Sequence, residues 1–222
     1  MATQGRPESF SAVVAMERNR GIGLSGQLPW KLAGDMRFFR ELTTCPDSTA
    51  VEQRFGLATP EAKRGDPILL KDFLTFLKTS PALPLPTLDR RNAVLMGRHT
   101  WESLPTAFKP LPGRLNGILS RQGLPGEEVG HPIWASLQDA FSELRKDESI
   151  QNVFVIGGAQ LYAQAIHHTA CRRIYATFIE EGFGCDVFFP EIPASFREIA
   201  TSDRIQEEGI HYRFSILDRD ES

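Results

Sequence analysis

The chain has 222 residues, 41% of them hydrophobic, and a formal net charge of −3 at pH 7, which suits one medium-sized domain and excludes a disordered chain. Its 25 Lys and Arg are interspersed with 28 Asp and Glu, so the electrostatic footprint of a nucleic-acid binder is missing, and no run approaches the ~20 apolar residues of a membrane span. The N-terminal MATQGRPESF has no basic-then-apolar leader, and Cys45, Cys171 and Cys185 form no C-x-x-C pair; the expectation is a cytoplasmic protein with a small-molecule partner, without disulfides or a thiolate metal site.

In chain order, residues 10–16 form a short β-branched apolar run bounded by polar residues and predict a strand. A glycine-rich stretch follows, and then DMRFFRELT (35–43) has helical periodicity. The segment from 45 to 91 is longer than a connection needs and ends in SPALPLPTLDRR. It predicts an insertion, a surface excursion with one amphipathic helix in ILLKDFLTFLK, capped by Asp66 with Pro67 at the first helical position. Residues 92–96, 115–120, 152–156 and 173–178 predict further strands. Residues 136–145, opened by Ser-x-x-Asp as in a capping box, and 158–166 predict helices. Near the C-terminus, Ile210, Tyr212, Phe214 and Ile216 alternate with polar residues at period two, as in a half-buried strand. The expected fold is a single α/β domain: a mixed, mostly parallel central sheet flanked by helices, with antiparallel C-terminal strands.

GIGLSGQLPWKLAGDM (21–36) contains a literal G-x-G-x-x-G. That spacing cradles a pyrophosphate only when it leaves a strand directly and opens a helix. Here Glu17-Arg18-Asn19-Arg20 intervene before it, and Pro29 disfavours helical geometry at Leu28 after it. The stretch reads instead as a flexible loop, a flap whose Gly21, Gly23 and Gly26 permit positive φ and close approach to a ligand. Asp35 lies just beyond it. A carboxylate at a helix start ordinarily serves the helix dipole, but one facing an apolar cleft is desolvated and becomes a proton donor or electrostatic anchor.

Strand, GIG, LPW, Asp35 and Phe39 in this order are similar to the dihydrofolate reductase family. The resemblance continues through VLMGRHTWESLP (94–105), PLPGRLNGILSR (110–121), VFVIGGAQLY (153–162), YATFI (175–179), DVFFPEI (186–192) and GIHYRFSIL (209–217), with wording most like that of the fungal members. It implies an NADPH-dependent oxidoreductase that transfers a hydride to C6 of 7,8-dihydrofolate and a proton to N5, supporting one-carbon metabolism and thymidylate synthesis. It also implies a monomer and sensitivity to antifolates such as methotrexate.

Carried over residue by residue, the resemblance makes Asp35 the pterin-binding carboxylate, a flat acceptor for the 2-amino group and N3. Thr177 hydrogen-bonds the pterin or that carboxylate, and Leu28 and Trp30 belong to the flap that closes over the reacting rings. Val13, Val14, Met36, Phe39, Leu104 and Ile156 match positions that line the substrate. Met36 departs from the Phe or Leu usual at its position. Arg114 matches the arginine for the α-carboxylate of the glutamate tail, where a guanidinium fork grips two oxygens. For the cofactor, Gly97-Arg98-His99-Thr100 and Gly157-Gly158-Ala159-Gln160-Leu161 each follow a strand and open a helix, the context that the G-x-G-x-x-G lacks. By analogy the Gly157-Gly158 bond is cis. Arg98, Ser120 and Arg121 match positions around the 2′-phosphate, and His99 a phosphate contact. Ala15, Ile22, Gly23, Ile156 and Tyr162 complete the nicotinamide surroundings. His167 and His168 are adjacent, face different ways on a helix, and so suit no shared metal; none is expected. The related reductase domain of riboflavin biosynthesis lacks the LPW loop followed by an acid, and a binding module with dead chemistry has no need of Asp35.

Overall fold

The first strand, β1 (Phe10–Glu17), is buried along nearly its whole length, as a strand must be when helices cover both faces of its sheet. The structure is a computed structural model that describes residues 7–57, 67–79, 83, 90–123 and 130–220. In it β1 lies between β7 (Ile150–Val155) and β8 (Cys171–Ile179), parallel to both. Outward from β7 come β4 (Arg91–Gly97), β5 (Arg114–Leu119) and the short β6 (Ile133–Trp134), all parallel. Outward from β8 the sense reverses: β12 (Ile210–Arg219) pairs antiparallel with β8, and both β11 (Ile205–Glu207) and β10 (Phe196–Thr201) pair antiparallel with β12. The mixed, mostly parallel sheet with antiparallel C-terminal strands is the expected architecture.

Period-two alternation sorts β1 between two layers. Phe10, Ala12, Val14 and Met16 enter a cluster with α5 (Leu137–Leu144) and α6 (Ala159–Ala165), while Val13 enters a second one with α1 (Ala33–Thr44). Ser136 caps α5 as expected, its Oγ accepting from the Asp139 amide at 3.1 Å and donating to the Asp139 carboxylate at 2.6 Å. The crevice at the carboxyl ends of the parallel strands, beside β1, is where open α/β sheets bind ligands.

Two expectations need correction. Over its described residues the 45–91 segment is part of the core and not a surface excursion. Val51 of α2 (Ser48–Arg54), Phe55, and Phe73 and Leu77 of α3 (Leu70–Thr79) are buried beside Phe38 and Phe214. The Phe38–Phe55 and Phe55–Phe214 rings meet edge-on at 5.0 and 5.5 Å. The segment's helix also starts at Leu70, because Ile68–Leu69 form β3, parallel to β11; that edge offers unpaired backbone groups which β3 satisfies. Asp66, and the 80–89 run apart from Leu83, lie outside the described residues.

The second correction concerns the start of the glycine-rich stretch, which is a strand and not a loop. Gly21–Gly23 form β2, antiparallel to β9 (Val187–Phe188), and Leu24 bridges Gln27 across a tight turn with positive φ at Ser25 and Gly26. Only Gly26 of the three glycines uses a left-handed φ. Gly21 is required for a different reason: a Cβ there would sit 2.5 Å from the Cys185 Cβ.

Candidate active site

Helix α1 carries an ordered stripe. Asp35, Phe39 and Thr43 are spaced i, i+4, i+8, so they share one face and span ~12 Å along the axis. At the N-terminal end Asp35 is 6% exposed, and Thr177 Oγ1 of β8 donates to its Oδ1 at 2.6 Å. Register places Thr177 opposite Ala15 of β1. Burial raises the Asp35 pKa to about 6; the Thr177 bond opposes the rise and the like charge of Glu207 adds to it. Among the described residues its Oδ2 has no hydrogen-bond partner.

At the other end of the stripe Arg114 opens β5. It is 8% exposed, its Nη1 donates to Thr43 Oγ1, its Nε donates to the Pro112 carbonyl, and its guanidinium lies 5.6 Å from the Phe39 ring centre. Among the described residues no carboxylate pairs with it, and burial together with the nearby Arg40 lowers its pKa to about 10. An unpaired buried cation is costly, and an incoming anion is what removes that cost. The arrangement therefore suits an elongated molecule: donors at one end for a carboxylate, an apolar middle, and an anion at the far end.

Ala15, Phe39, Leu104 and Ile156 are half-buried and pack against the α1-side cluster. Val13 shares that cluster, whereas Val14 turns its side chain into the opposite layer, so only its backbone faces this side. Leu28 and Met36 are exposed, at 50% and 53%. Trp30 is buried, edge-on to Phe183 at 5.3 Å, and among the described residues its Nε1 has no hydrogen-bond partner.

The two strand-glycine-helix turns abut. The Gly97 amide donates to the Gly157 carbonyl at 2.7 Å, and a Cβ on Gly158 would lie 3.2 Å from Thr100 Oγ1. Gly157 has φ +116, and its bond to Gly158 is cis. A side chain at 157 would meet the Tyr162 ring at 3.2 Å; Tyr162 in turn donates its hydroxyl to the Val13 carbonyl at 2.6 Å. The turns thus bring bare backbone and two helix starts together beside β1, a cradle for a molecule bearing phosphates. Within it, the Leu161 amide is already bonded to the Gly158 carbonyl and the Leu161 side chain is core, which leaves Ala159 and Gln160 as the amides at the start of α6. Arg98 is paired with Glu102 at 2.6 Å, and His99, almost fully exposed, is 3.5 Å from the same carboxylate. Ser120 Oγ donates to the Gly123 carbonyl and Arg121 is exposed at the end of β5. Ile22 packs on the α5–α6 layer, and the Gly23 carbonyl accepts from the Asp186 amide.

Two parts of the site have no signal in the sequence. Thr43, which holds Arg114, reads as an ordinary helix threonine. Glu207, which accepts from the Ala33 and Gly34 amides at 2.6 and 3.2 Å, lies more than 170 residues from the amides it caps.

A family model described as dihydrofolate reductase matches residues 9–48 and 87–219. The chain is 30% identical over 226 residues to a dihydrofolate reductase of Aedes albopictus, covering 96% of this chain and 98% of the relative. It is 30% identical over 219 residues to that of Drosophila melanogaster, covering 95% and 97%. A bifunctional dihydrofolate reductase-thymidylate synthase of Zea mays is 36% identical over 221 residues; there the match covers 96% of this chain and 34% of the relative. The chain thus spans about a third of that bifunctional protein and nearly the whole of the insect ones.

Proposed function

The chain belongs to the dihydrofolate reductase family of oxidoreductases, and from that premise we propose that it reduces 7,8-dihydrofolate to tetrahydrofolate with NADPH, Asp35 and Arg114 holding the two ends of the substrate. The α1 stripe is the observation that carries this reading: Asp35, a buried carboxylate, stands at one end of Phe39, and at the other end Thr43 holds the buried Arg114 guanidinium of β5, which no carboxylate among the described residues pairs. The pterin 2-amino group and N3 donate to Asp35, the benzoyl part lies along Phe39 and Leu104, and the glutamate α-carboxylate pairs with Arg114.

NADPH supplies the hydride that reaches C6. The protein's own task is the proton that N5 gains in the same reduction. Buried beside Thr177, Asp35 keeps its carboxyl protonated up to about pH 6, so it remains within reach of protonation near neutrality while still serving as an acceptor. Thr177 donates to Oδ1 and fixes the carboxyl plane, and the buried Trp30 walls the cleft. The Gly97 and Gly157-Gly158 turns admit the cofactor backbone, with the Ala159 and Gln160 amides, Arg98, His99, Thr100, Ser120 and Arg121 for its phosphates. To hold the 2′-phosphate, Arg98 would have to leave its pairing with Glu102. Three free cysteines, two of them buried, fit a reducing cytoplasmic setting, and the family resemblance carries the expectation of a monomer.

The test is the loss of reduced-nicotinamide absorbance on adding dihydrofolate to protein and NADPH, with and without methotrexate. Turnover abolished by methotrexate is expected; no turnover would leave a binding module and overturn the proposal.

A further inference from the structure

Helix α1 enters the site without a local cap. Leu32 occupies the N-cap position and no side-chain bond from it closes the helix, although the first turn of a helix leaves several amides unsatisfied. The missing acceptor comes from the far end of the chain. Glu207, the last residue of β11, is 5% exposed; its Oε1 accepts from the Ala33 amide at 2.6 Å and its Oε2 from the Gly34 amide at 3.2 Å. Tyr212 of β12 donates its hydroxyl to the same Oε2 at 3.1 Å. The joint is tight, since a Cβ on Gly34 would lie 2.0 Å from the Tyr212 hydroxyl oxygen. Outside it, β3 of the 45–91 segment pairs with β11 through Ile205↔Ile68 and Gln206↔Leu69, and a Leu70 methyl closes on Gly34.

Asp35 follows Gly34 directly. We infer that Glu207 is a positioning residue for the reaction: its carboxylate, held by the Tyr212 hydroxyl and carried on a strand whose preceding residues pair with β3, sets the start of α1 and thereby the placement of Asp35 against Thr177, while bringing a second negative charge to the same buried corner. This inference rests on the proposed reduction of dihydrofolate.

Two effects follow from one group. Negative charge at a helix N-terminus is favourable to the helix, so Glu207 stabilises the element that carries Asp35. The same charge disfavours ionisation of Asp35. The other groups facing Asp35 are the Thr177 hydroxyl from β8 and the phenols Tyr162 of α6 and Tyr212 of β12, both of which burial keeps protonated far above neutral pH. On α1 itself, Arg37 is paired with Glu41 at 2.7 Å, and Arg40 acts on Arg114. Among the described residues, Glu207 is therefore the carboxylate neighbour whose charge pushes the Asp35 titration upward.

The experiment compares the parent protein, Glu207→Gln and Glu207→Asp by single-turnover reduction of dihydrofolate across pH, with NADPH saturating throughout so that binding supports the fold. Parent turnover is the control on the reaction itself: its absence would refute the functional reading, whereas parent turnover with unresponsive variants would refute only the role of Glu207. Glu207→Gln is expected to move the midpoint of the descending limb to lower pH by about half a unit and to leave the NADPH dissociation constant within about twofold. A midpoint that stays in place in folded Glu207→Gln protein overturns the inference. Glu207→Asp keeps the charge but reaches less far, so the midpoint should stay near that of the parent while kcat/KM for dihydrofolate falls about tenfold. Should Glu207→Gln not fold, this variant decides: parent kcat/KM in Glu207→Asp would show that α1 does not depend on the reach of Glu207.

Discussion

Asp35 draws opposite demands from folding and from chemistry. Its pKa stands raised from 3.8 to about 6 by burial, so the folded state binds more protons than the unfolded state between those values. The stability that protonation contributes is fully present below the unfolded pKa and is lost as pH rises through the folded one. A shift of about two units corresponds to about 3 kcal/mol. Asp35→Asn, whose amide oxygen can still accept from Thr177, escapes this loss. Denaturant titrations should find the variant about 3 kcal/mol more stable than the parent near pH 8 and about equal to it near pH 4; an equal difference at both would contradict the burial of an ionisable Asp35. Arg114 makes the complementary case for binding. Arg114→Ala should raise KM for dihydrofolate by about 30- to 150-fold, the worth of a charge-assisted bidentate pair of about 2 to 3 kcal/mol, with kcat little changed. A KM equal to that of the parent would place the substrate carboxylate elsewhere.

At the scale of elements, the described residues of the 45–91 segment pack into the core on the α1 side of the sheet. Phe73 of α3 is 5% exposed and lies 5.8 Å from the Phe55 ring and 6.1 Å from the Phe214 ring. Phe73→Ala should cost about 3 kcal/mol in a chemical denaturation, the loss expected for emptying a buried aromatic site; a cost under about 0.5 kcal/mol would match a surface helix instead. What the sequence reveals of these elements follows from how local their causes are. β1, β4, β5, β7 and β8 announce themselves because a buried parallel strand is a short continuous apolar run, and the Ser136 cap because its partner is three residues away. β11 is three residues long and β3 two, too short for any periodicity, and both exist because each completes the other's edge. The glycine stretch misleads for a related reason: Gly21 is dictated by Cys185 across a β2–β9 pairing, a contact more than 160 residues apart in sequence. Asp35 and Arg114 stand out only within motifs, whereas their partners Thr43, Thr177 and Glu207 are ordinary residues until the chain is folded.

At the scale of the molecule, one helix face and two glycine turns converge on the carboxyl ends of the parallel strands. The α1 stripe has Asp35 at one end and, through Thr43, Arg114 of β5 at the other, the two proposed substrate contacts, and the joined Gly97 and Gly157-Gly158 turns leave backbone bare beside β1, where the cofactor is proposed to lie. Ile68 and Leu69, which lie between the two stretches matched by the family model, pair from outside with the strand that caps α1. The central claim is that Asp35 commands proton delivery in dihydrofolate reduction, and the direct measurement is the rate of NADPH oxidation with dihydrofolate across pH in the parent and in Asp35→Asn. The parent rate should fall as pH rises through the Asp35 titration, and the variant should bind NADPH as the parent does yet lose most turnover at neutral pH, by about 100-fold or more. Parent-like turnover in Asp35→Asn at neutral pH would contradict the account.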